Sequence, residues 1–284
     1  MNRIGVVGAG TMGSGIIQTF SEKGFHVLVL ESYEPAREKA QGNIAKFIRK
    51  RAEKGQIPSE EAEASIQRIR WCRNVEELAE SEFVVEAIIE NLESKIALFQ
   101  SLDKITAHEV ILASNTSSLP ITKIAAATSK ADRCIGMHFM NPVPLMPLVE
   151  IIRGHVTSNQ TYAITEQLAR SLGKTPIEAN DYPGFISNRV LMPMINEAIY
   201  TLWEGIGTRE AIDQVMKLGM NHPMGPLELA DFIGLDVCLA IMNVLYEGFS
   251  DSKYRACPLL KKMVEAGHLG RKSGKGFYEY SSKK

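Results

Sequence analysis

The sequence predicts an α/β N-terminal domain with a mostly parallel sheet, followed by an all-α C-terminal domain. Three observations carry this reading. Over roughly the first 180 residues, short continuous apolar runs alternate with longer helical patterns. The texture changes at Asp181-Tyr182-Pro183-Gly184, and behind that point strand-like runs all but vanish. Apolar runs that are continuous rather than alternating belong to strands covered on both faces, the condition of a parallel sheet. At about 150 residues per domain, 284 residues accommodate two, expected at 1–183 and 184–284.

Taken in order, residues 4–7 read as a buried strand, 11–23 as a helix ending near Gly24, and 26–30 as the next strand. A helix-pair insertion over about 34–68 then breaks the rhythm, with helices at 34–54 and 59–68 joined by Gly55-Gln56-Ile57-Pro58. Residues 83–88, 110–114, 134–140 and 148–152 are further strands. Helices lie between them at 93–105 and at 158–172, the latter closed by Gly173. In the second half, 185–203 is helical, with Pro193 as a kink or a boundary. A helix over 208–218 starts on an N-cap at Thr208, another over 227–249 breaks near Gly234, and a last one spans 258–266. Residues 276–278 are the one strand-like run there.

Composition narrows the function classes. With 32 basic and 33 acidic residues the formal charge is −1, so no global field gathers nucleic acid or anionic membrane. Neither is expected as a partner. No run approaches the roughly 18 apolar residues of a membrane helix, and the N-terminus leads straight into a strand rather than a leader. Cys72, Cys134, Cys238 and Cys257 are scattered without CxxC spacing, which points to reduced thiols, a cytoplasmic setting and no metal site.

Gly8-Ala9-Gly10-Thr11-Met12-Gly13 is a GxGxxG run that follows a strand and opens a helix. In that context the first glycine permits the tight turn, the second lets backbone approach a pyrophosphate, and the third lets helix and strand pack closely. The N-terminal domain is therefore expected to be Rossmann-type. Glu31 ends the second strand, 18 residues after Gly13. A carboxylate there accepts hydrogen bonds from a ribose diol and repels a 2′-phosphate, which favours NAD over NADP.

Chemistry needs other residues. The stretches Ala113-Ser114-Asn115-Thr116-Ser117-Ser118-Leu119 and Gly136-Met137-His138-Phe139-Met140-Asn141-Pro142-Val143-Pro144 both begin at the C-terminal end of an expected strand, the edge where open parallel sheets bind ligands. His138 reads either as a satisfied core histidine or as a base for a hydroxyl proton. Glu150, in the next strand-like run, is the kind of carboxylate that would fix its tautomer. Ser117 and Asn188 are hydroxyl and amide donors suited to a carbonyl oxygen. The basic residues of helix 34–54, Lys50 and Lys54 among them, read by composition as a solvated face.

The blocks GAGTMGSGI, VVEAIIENLESK, ASNTSSLPIT, GMHFMNPVPLMPLVEI, DYPGFISNR, GMNHPMGPLELADFIGLD and GRKSGKGFYEY run in order along the whole chain. Through them the sequence resembles the L-3-hydroxyacyl-CoA dehydrogenase family, and most the bacterial 3-hydroxybutyryl-CoA dehydrogenases. The resemblance implies NAD-dependent reversible oxidation of an L-3-hydroxyacyl-CoA to a 3-oxoacyl-CoA, within fatty-acid or butyrate metabolism. It makes His138 the catalytic base and Glu150 its orienting partner, with Ser117 and Asn188 positioning the acyl-CoA near its 3-oxygen. It extends NAD contacts to Gly8, Ala9, Gly10, Thr11, Met12, Gly13, Glu31, Glu90, Lys95, Ser117, Asn141 and Lys272. Glu90 and Lys95 also follow the 83–88 strand at the same sheet edge. The resemblance turns Lys50 and Lys54 into partners for CoA phosphates, and it implies a homodimer or assembly of dimers built on the helical domain. Glu31 departs from the family's usual Asp. Dehydrogenases of the same fold with a similar histidine–glutamate pair act on sugar acids or carnitine. An NAD-binding protein without turnover has no need for Ser117, His138, Glu150 and Asn188 together.

Overall fold

Arg3–Val7 forms β1 because four consecutive apolar positions after Arg3 are buried. Chain reversal after it starts α1 (Thr11–Glu22), which returns to β2 (His26–Leu30). The helix pair follows as α2 (Glu34–Glu53), with Pro35 in its first turn, and α3 (Ser59–Gln67). Then come β3 (Ile69–Cys72), a 3₁₀ turn over Val75–Glu80, β4 (Phe83–Glu86), α4 (Leu92–Ile105), β5 (Ile111–Ser114) and the short α5 (Ile121–Ala125). β6 (Cys134–Phe139), β7 (Leu148–Arg153), α6 (Asn159–Ser171) and β8 (Thr175–Asn180) complete this half. The computed structural model describes residues 1–280. The last four residues of the helical domain expected over 184–284 lie outside the described residues.

The eight strands form one sheet in the order β3-β2-β1-β4-β5-β6-β7-β8. Every neighbouring pair is parallel except β6 and β7. Both faces are covered. Ile4 and Val6 of β1 pack with Ile16, Phe20 and Ile48 on one side, whereas Val7 and Val84 pack with Phe99 and Leu102 on the other. The sheet is thus doubly wound, and the strand order reverses between β1 and β4, the place where such sheets bind ligands.

The chain divides into two compact units, Met1–Tyr182 and the remainder from Pro183. The second is helical. It contains α7 (Ser187–Trp203), α8 (Arg209–Gln214) running into a π-helical turn over Val215–Gly219, α9 (Pro226–Ile233), α10 (Leu235–Phe249) and α11 (Pro258–Glu265). Met192, Ile195, Ile199, Leu227, Leu245 and Leu260 lie in its core. α9 and α10 meet at 97° at Gly234, whose φ of +105° is the left-handed conformation glycine tolerates. Among the described residues no single helix is long and apolar enough to cross a membrane.

Of the two roles open to Pro193, the boundary is set aside, because it lies inside α7, where the burial of Met192, Ile195 and Ile199 around it outweighs one missing backbone hydrogen bond. Two features differ from the expectations. Residues 276–278 form no strand, only isolated bridges between Gly270, Lys275 and Glu279. The N–H groups of Phe277 and Tyr278 instead donate to the buried Asp231 carboxylate, each at 2.9 Å. β3, α5 and β8 were not expected at all.

Candidate active site

The glycine loop owes its shape to three close approaches or openings. Gly8 has φ +94°, and a Cβ there would lie 2.5 Å from the Ala87 carbonyl oxygen. A Cβ on Gly13 would lie 2.0 Å from the Gly8 oxygen, so α1 packs directly on the turn. Gly10, the N-cap of α1, has nothing within 4 Å of its Cβ position. No side chain caps the helix, and its first turn carries no acidic residue. The result is an open cradle of backbone N–H groups at the positive end of a helix dipole, which suits a pyrophosphate. Glu31 is drawn to the loop, its Oε2 accepting the Ala9 N–H at 2.9 Å and its Oε1 the Tyr33 N–H at 3.1 Å. Gly8, Gly10, Glu31, Ala87 and Ile88 line one cleft of about 510 Å³. These residues fit a dinucleotide.

On the other side of the switch point a polar network joins β4, α4 and β5. Lys95, in the first turn of α4, is buried; its Nζ lies 2.5 Å from Glu86 Oε1 and 3.3 Å from Glu90 Oε2. Glu90 Oε1 in turn accepts from Thr116 Oγ1 at 2.5 Å, from the Ser117 N–H at 2.9 Å and from Ser117 Oγ at 3.3 Å. Partial burial pushes the Glu90 carboxyl up, but Lys95 and these hydrogen bonds outweigh it and hold it below the ordinary carboxylate range. Three residues expected at the cofactor, Glu90, Lys95 and Ser117, are therefore one connected group.

His138 and Glu150 are directly opposite in the antiparallel β6–β7 ladder. Directly opposite residues share a sheet face, and here His138 Nδ1 lies 2.8 Å from Glu150 Oε2. Both side chains are buried. An ionised Glu150 accepts, so the proton sits on Nδ1 and the lone pair on Nε2. Asn115, after β5, ties that loop to the end of β6 by accepting the Phe139 N–H at 2.9 Å.

A second cleft, of about 490 Å³, lies between α1, α2 and the loop after β6. Its walls include the apolar Ile44, Phe47 and Leu145, and its rim carries Lys50 and Lys54. Asn141 lines this cleft together with Thr11. The loop is clasped from below by the buried Lys174, whose Nζ donates to the Val143 carbonyl at 2.5 Å and to that of Met146 at 2.8 Å. Lys174 was not singled out in the sequence, and nothing in Arg170-Ser171-Leu172-Gly173-Lys174-Thr175 marks it as buried; a lysine that is buried needs partners such as these carbonyls.

In the second unit, Asn188 is buried in the first turn of α7, its N–H bonded to the Gly184 carbonyl at 3.1 Å. Lys272 forms an ion pair with Asp236 at 2.5 Å. All four cysteines are buried and unpaired, and burial pushes Cys134 up to about 11 and Cys238 up to about 12, which leaves them inert as thiols. Among the described residues no cluster of His, Cys, Asp or Glu could hold a metal ion.

A glycine cradle at the switch point of a doubly wound sheet, with an acid-oriented histidine on the same sheet, defines the class of dinucleotide-dependent oxidoreductases. The comparisons with known proteins go further. Residues 3–182 match the family described as 3-hydroxyacyl-CoA dehydrogenase, NAD binding domain, and residues 184–280 match its C-terminal domain. The chain belongs to the 3-hydroxyacyl-CoA dehydrogenase family. It is 56% identical over 283 residues to the probable 3-hydroxybutyryl-CoA dehydrogenase of Bacillus subtilis, covering 100% of this chain and 99% of that one. It is 50% identical over 290 residues to the 3-hydroxybutyryl-CoA dehydrogenase of Bradyrhizobium diazoefficiens, covering 100% and 97%. The crystal structure of the (S)-3-hydroxybutyryl-CoA dehydrogenase of Ralstonia eutropha superposes with a TM-score of 0.97 at 47% identity, covering 99% of this chain and 100% of that one.

Proposed function

We propose that this chain is an NAD-dependent 3-hydroxybutyryl-CoA dehydrogenase, interconverting L-3-hydroxybutyryl-CoA and acetoacetyl-CoA. The observation that carries the chemistry is the His138–Glu150 pair at 2.8 Å. His138 Nε2 takes the proton from the 3-hydroxyl, and Glu150 stabilises the imidazolium that forms. When bound, NAD would supply the acceptor for the hydride of C3. In the reducing direction His138 returns the proton to the 3-oxygen. Ser117 and Asn188 are assigned to holding that oxygen and the acyl group in place. The Gly8–Gly13 loop holds the pyrophosphate and Glu31 the adenosine ribose. Glu90, Lys95, Ser117, Asn141 and Lys272 complete the cofactor contacts.

The substrate class rests on the 490 Å³ cleft, which combines an apolar wall for a pantetheine arm with exposed Lys50 and Lys54 for phosphates. Residues 1–183 are assigned to cofactor binding, with Lys50, Lys54 and Ser117 serving the substrate as well, and 184–284 to substrate and self-association, with Lys272 reaching the cofactor. A homodimer is proposed on exposed apolar side chains of the second unit, among them Val190, Ile206, Val215, Leu218, Met220 and Phe232. Light scattering at micromolar concentration is expected to give at least twice the 31.4 kDa of one chain; the mass of a single chain would overturn it. The cytoplasm is the proposed compartment, supported by four unpaired thiols.

The test of the function is NADH oxidation with acetoacetyl-CoA, run beside NADPH and beside acetoacetate without CoA. Turnover that requires both NADH and the CoA moiety is expected. Equal rates with free acetoacetate would remove the role of Lys50 and Lys54. No turnover despite NADH binding would overturn the substrate and leave the sugar-acid and carnitine classes.

A further inference from the structure

We propose that Glu86 is a positioning residue of the cofactor site, one that neutralises Lys95 and so leaves this edge of the sheet with a net negative charge selective for the oxidised nicotinamide. The inference rests on the assignment of Glu90, Lys95 and Ser117 to NAD made above. Glu86 ends β4, paired in register with Val7 of β1 on one side and Ser114 of β5 on the other. Its side chain is fully buried.

The carboxylate meets an ammonium, a backbone N–H and a hydroxyl. Oε1 accepts from Lys95 Nζ at 2.5 Å and from the Ile88 N–H at 2.7 Å. Oε2 accepts from Ser114 Oγ at 2.6 Å. The Ser114 hydroxyl also accepts the Thr116 N–H at 3.2 Å, which ties the turn after β5 to the same group. Burial pushes the Glu86 carboxyl above its ordinary value, against the pull of Lys95, Ser114 and Ile88. The Lys95 ammonium and the Ile88 N–H, which can only donate, nonetheless both converge on Oε1, and the ammonium favours the carboxylate form.

Two consequences follow for the site. The first is mechanical: Glu86 anchors the first turn of α4 through Lys95 and the turn after β5 through Ser114, and both carry groups that meet at Glu90. The second is electrostatic. Lys95 is matched by a carboxylate it cannot leave, and it is not a spare cation for a phosphate. The cluster holds one ammonium against two carboxylates, and the second of these, Glu90, is the partly exposed one. In a doubly wound sheet the second mononucleotide half binds over the carboxyl ends of the strands beyond the switch point, here β4 and β5. An oxidised nicotinamide ring is a cation and a reduced one is neutral. A net negative edge therefore favours the oxidised form.

The test is the pair of dissociation constants for NAD⁺ and NADH, measured by calorimetry and by NADH fluorescence on the full chain. Glu86→Gln keeps the shape and removes the charge. It is expected to weaken NAD⁺ by about five- to tenfold while changing NADH by less than about twofold. Ser114→Ala removes one hydrogen bond and no charge, and is expected to leave the NAD⁺/NADH ratio within about twofold of the parent. Equal weakening of both nucleotides by Glu86→Gln, or no change in either, would overturn the proposal. If circular dichroism shows that this variant does not fold, Glu86→Asp replaces it. Its charge is retained, so the ratio is expected to stay at the parent value even if both constants rise, and a shift of the ratio of about fivefold would overturn the proposal. Parent protein that binds neither nucleotide would overturn the cofactor assignment itself, an outcome distinct from these.

Discussion

Replacing His138 with Gln lowers kcat by roughly a thousandfold and leaves the dissociation constant for NADH within about threefold. The amide fills much the same space between β6 and β7 but does not take a proton near neutral pH, so it removes the base without emptying the site. Glu150→Gln is expected to be almost as damaging for a different reason. Its amide can donate to Nδ1, the atom that now lies 2.8 Å from Glu150 Oε2. That forces the imidazole proton onto Nε2, and the ring stays in place in the wrong tautomer. Because the two residues act as one unit, the double variant should be little worse than His138→Gln alone. Single-turnover kinetics with acetoacetyl-CoA and NADH decide the matter. Near-parental rates in His138→Gln, or losses that multiply in the double variant, would show that proton transfer lies elsewhere.

The pairing behind these effects is half legible in the sequence. His138 and Glu150 both fall in recognisable apolar runs, and the run of His138 ends at the ligand-binding edge. The register that sets them opposite each other comes from the single antiparallel ladder in the sheet, and no local pattern announces that reversal of direction. The central strands are legible because they are continuously apolar. β8 is not, because only Pro176 and Ala179 of Thr175–Asn180 are buried, and this outermost strand of the sheet reads as a polar connection. β3 escapes for a similar reason, a four-residue strand at the opposite edge that contains an exposed Arg70. The strand expected at 276–278 is a misreading of another kind. Its aromatic residues do suit a strand, but a buried carboxylate claims their backbone donors.

Glu86 shows where the sequence holds a physical signal that the strand pattern alone passes over. A glutamate at the end of Phe83-Val84-Val85, in a run that must be covered on both faces, is costly unless paired. Lys95, nine residues on and one helical turn into α4, is the partner that charge required. A polar side chain that interrupts a strand of this kind marks a network position by its cost alone. Lys174 carries the same lesson from the other direction: its ammonium replaces solvent with two loop carbonyls, and burial pulls its pKa down.

The glycine loop separates shape from binding more sharply than any other part of the site, and two alanine variants should behave differently there. Gly13→Ala places a methyl 2.0 Å from the Gly8 carbonyl oxygen, a backbone atom that gives way only if α1 moves off the turn. The expected cost is about 1–3 kcal/mol or more of stability, together with at least roughly a hundredfold loss of NADH affinity, since displaced N–H groups no longer converge on the pyrophosphate. Gly10→Ala meets nothing within 4 Å, and its φ of −64° with ψ of −163° is extended backbone that alanine adopts without strain. Its thermal midpoint should therefore match the parent within about 2 °C, because no folded-state contact is lost. The methyl nevertheless projects into the space the second glycine leaves for the ligand, so NADH affinity should still fall by about tenfold or more. Differential scanning calorimetry and fluorescence titration of the same two proteins supply both readouts. A Gly10→Ala variant that binds NADH like the parent would mean the cradle is not the pyrophosphate site. A Gly13→Ala variant with unchanged melting would mean that α1 is free to shift, and that the contact at Gly8 does not fix the loop.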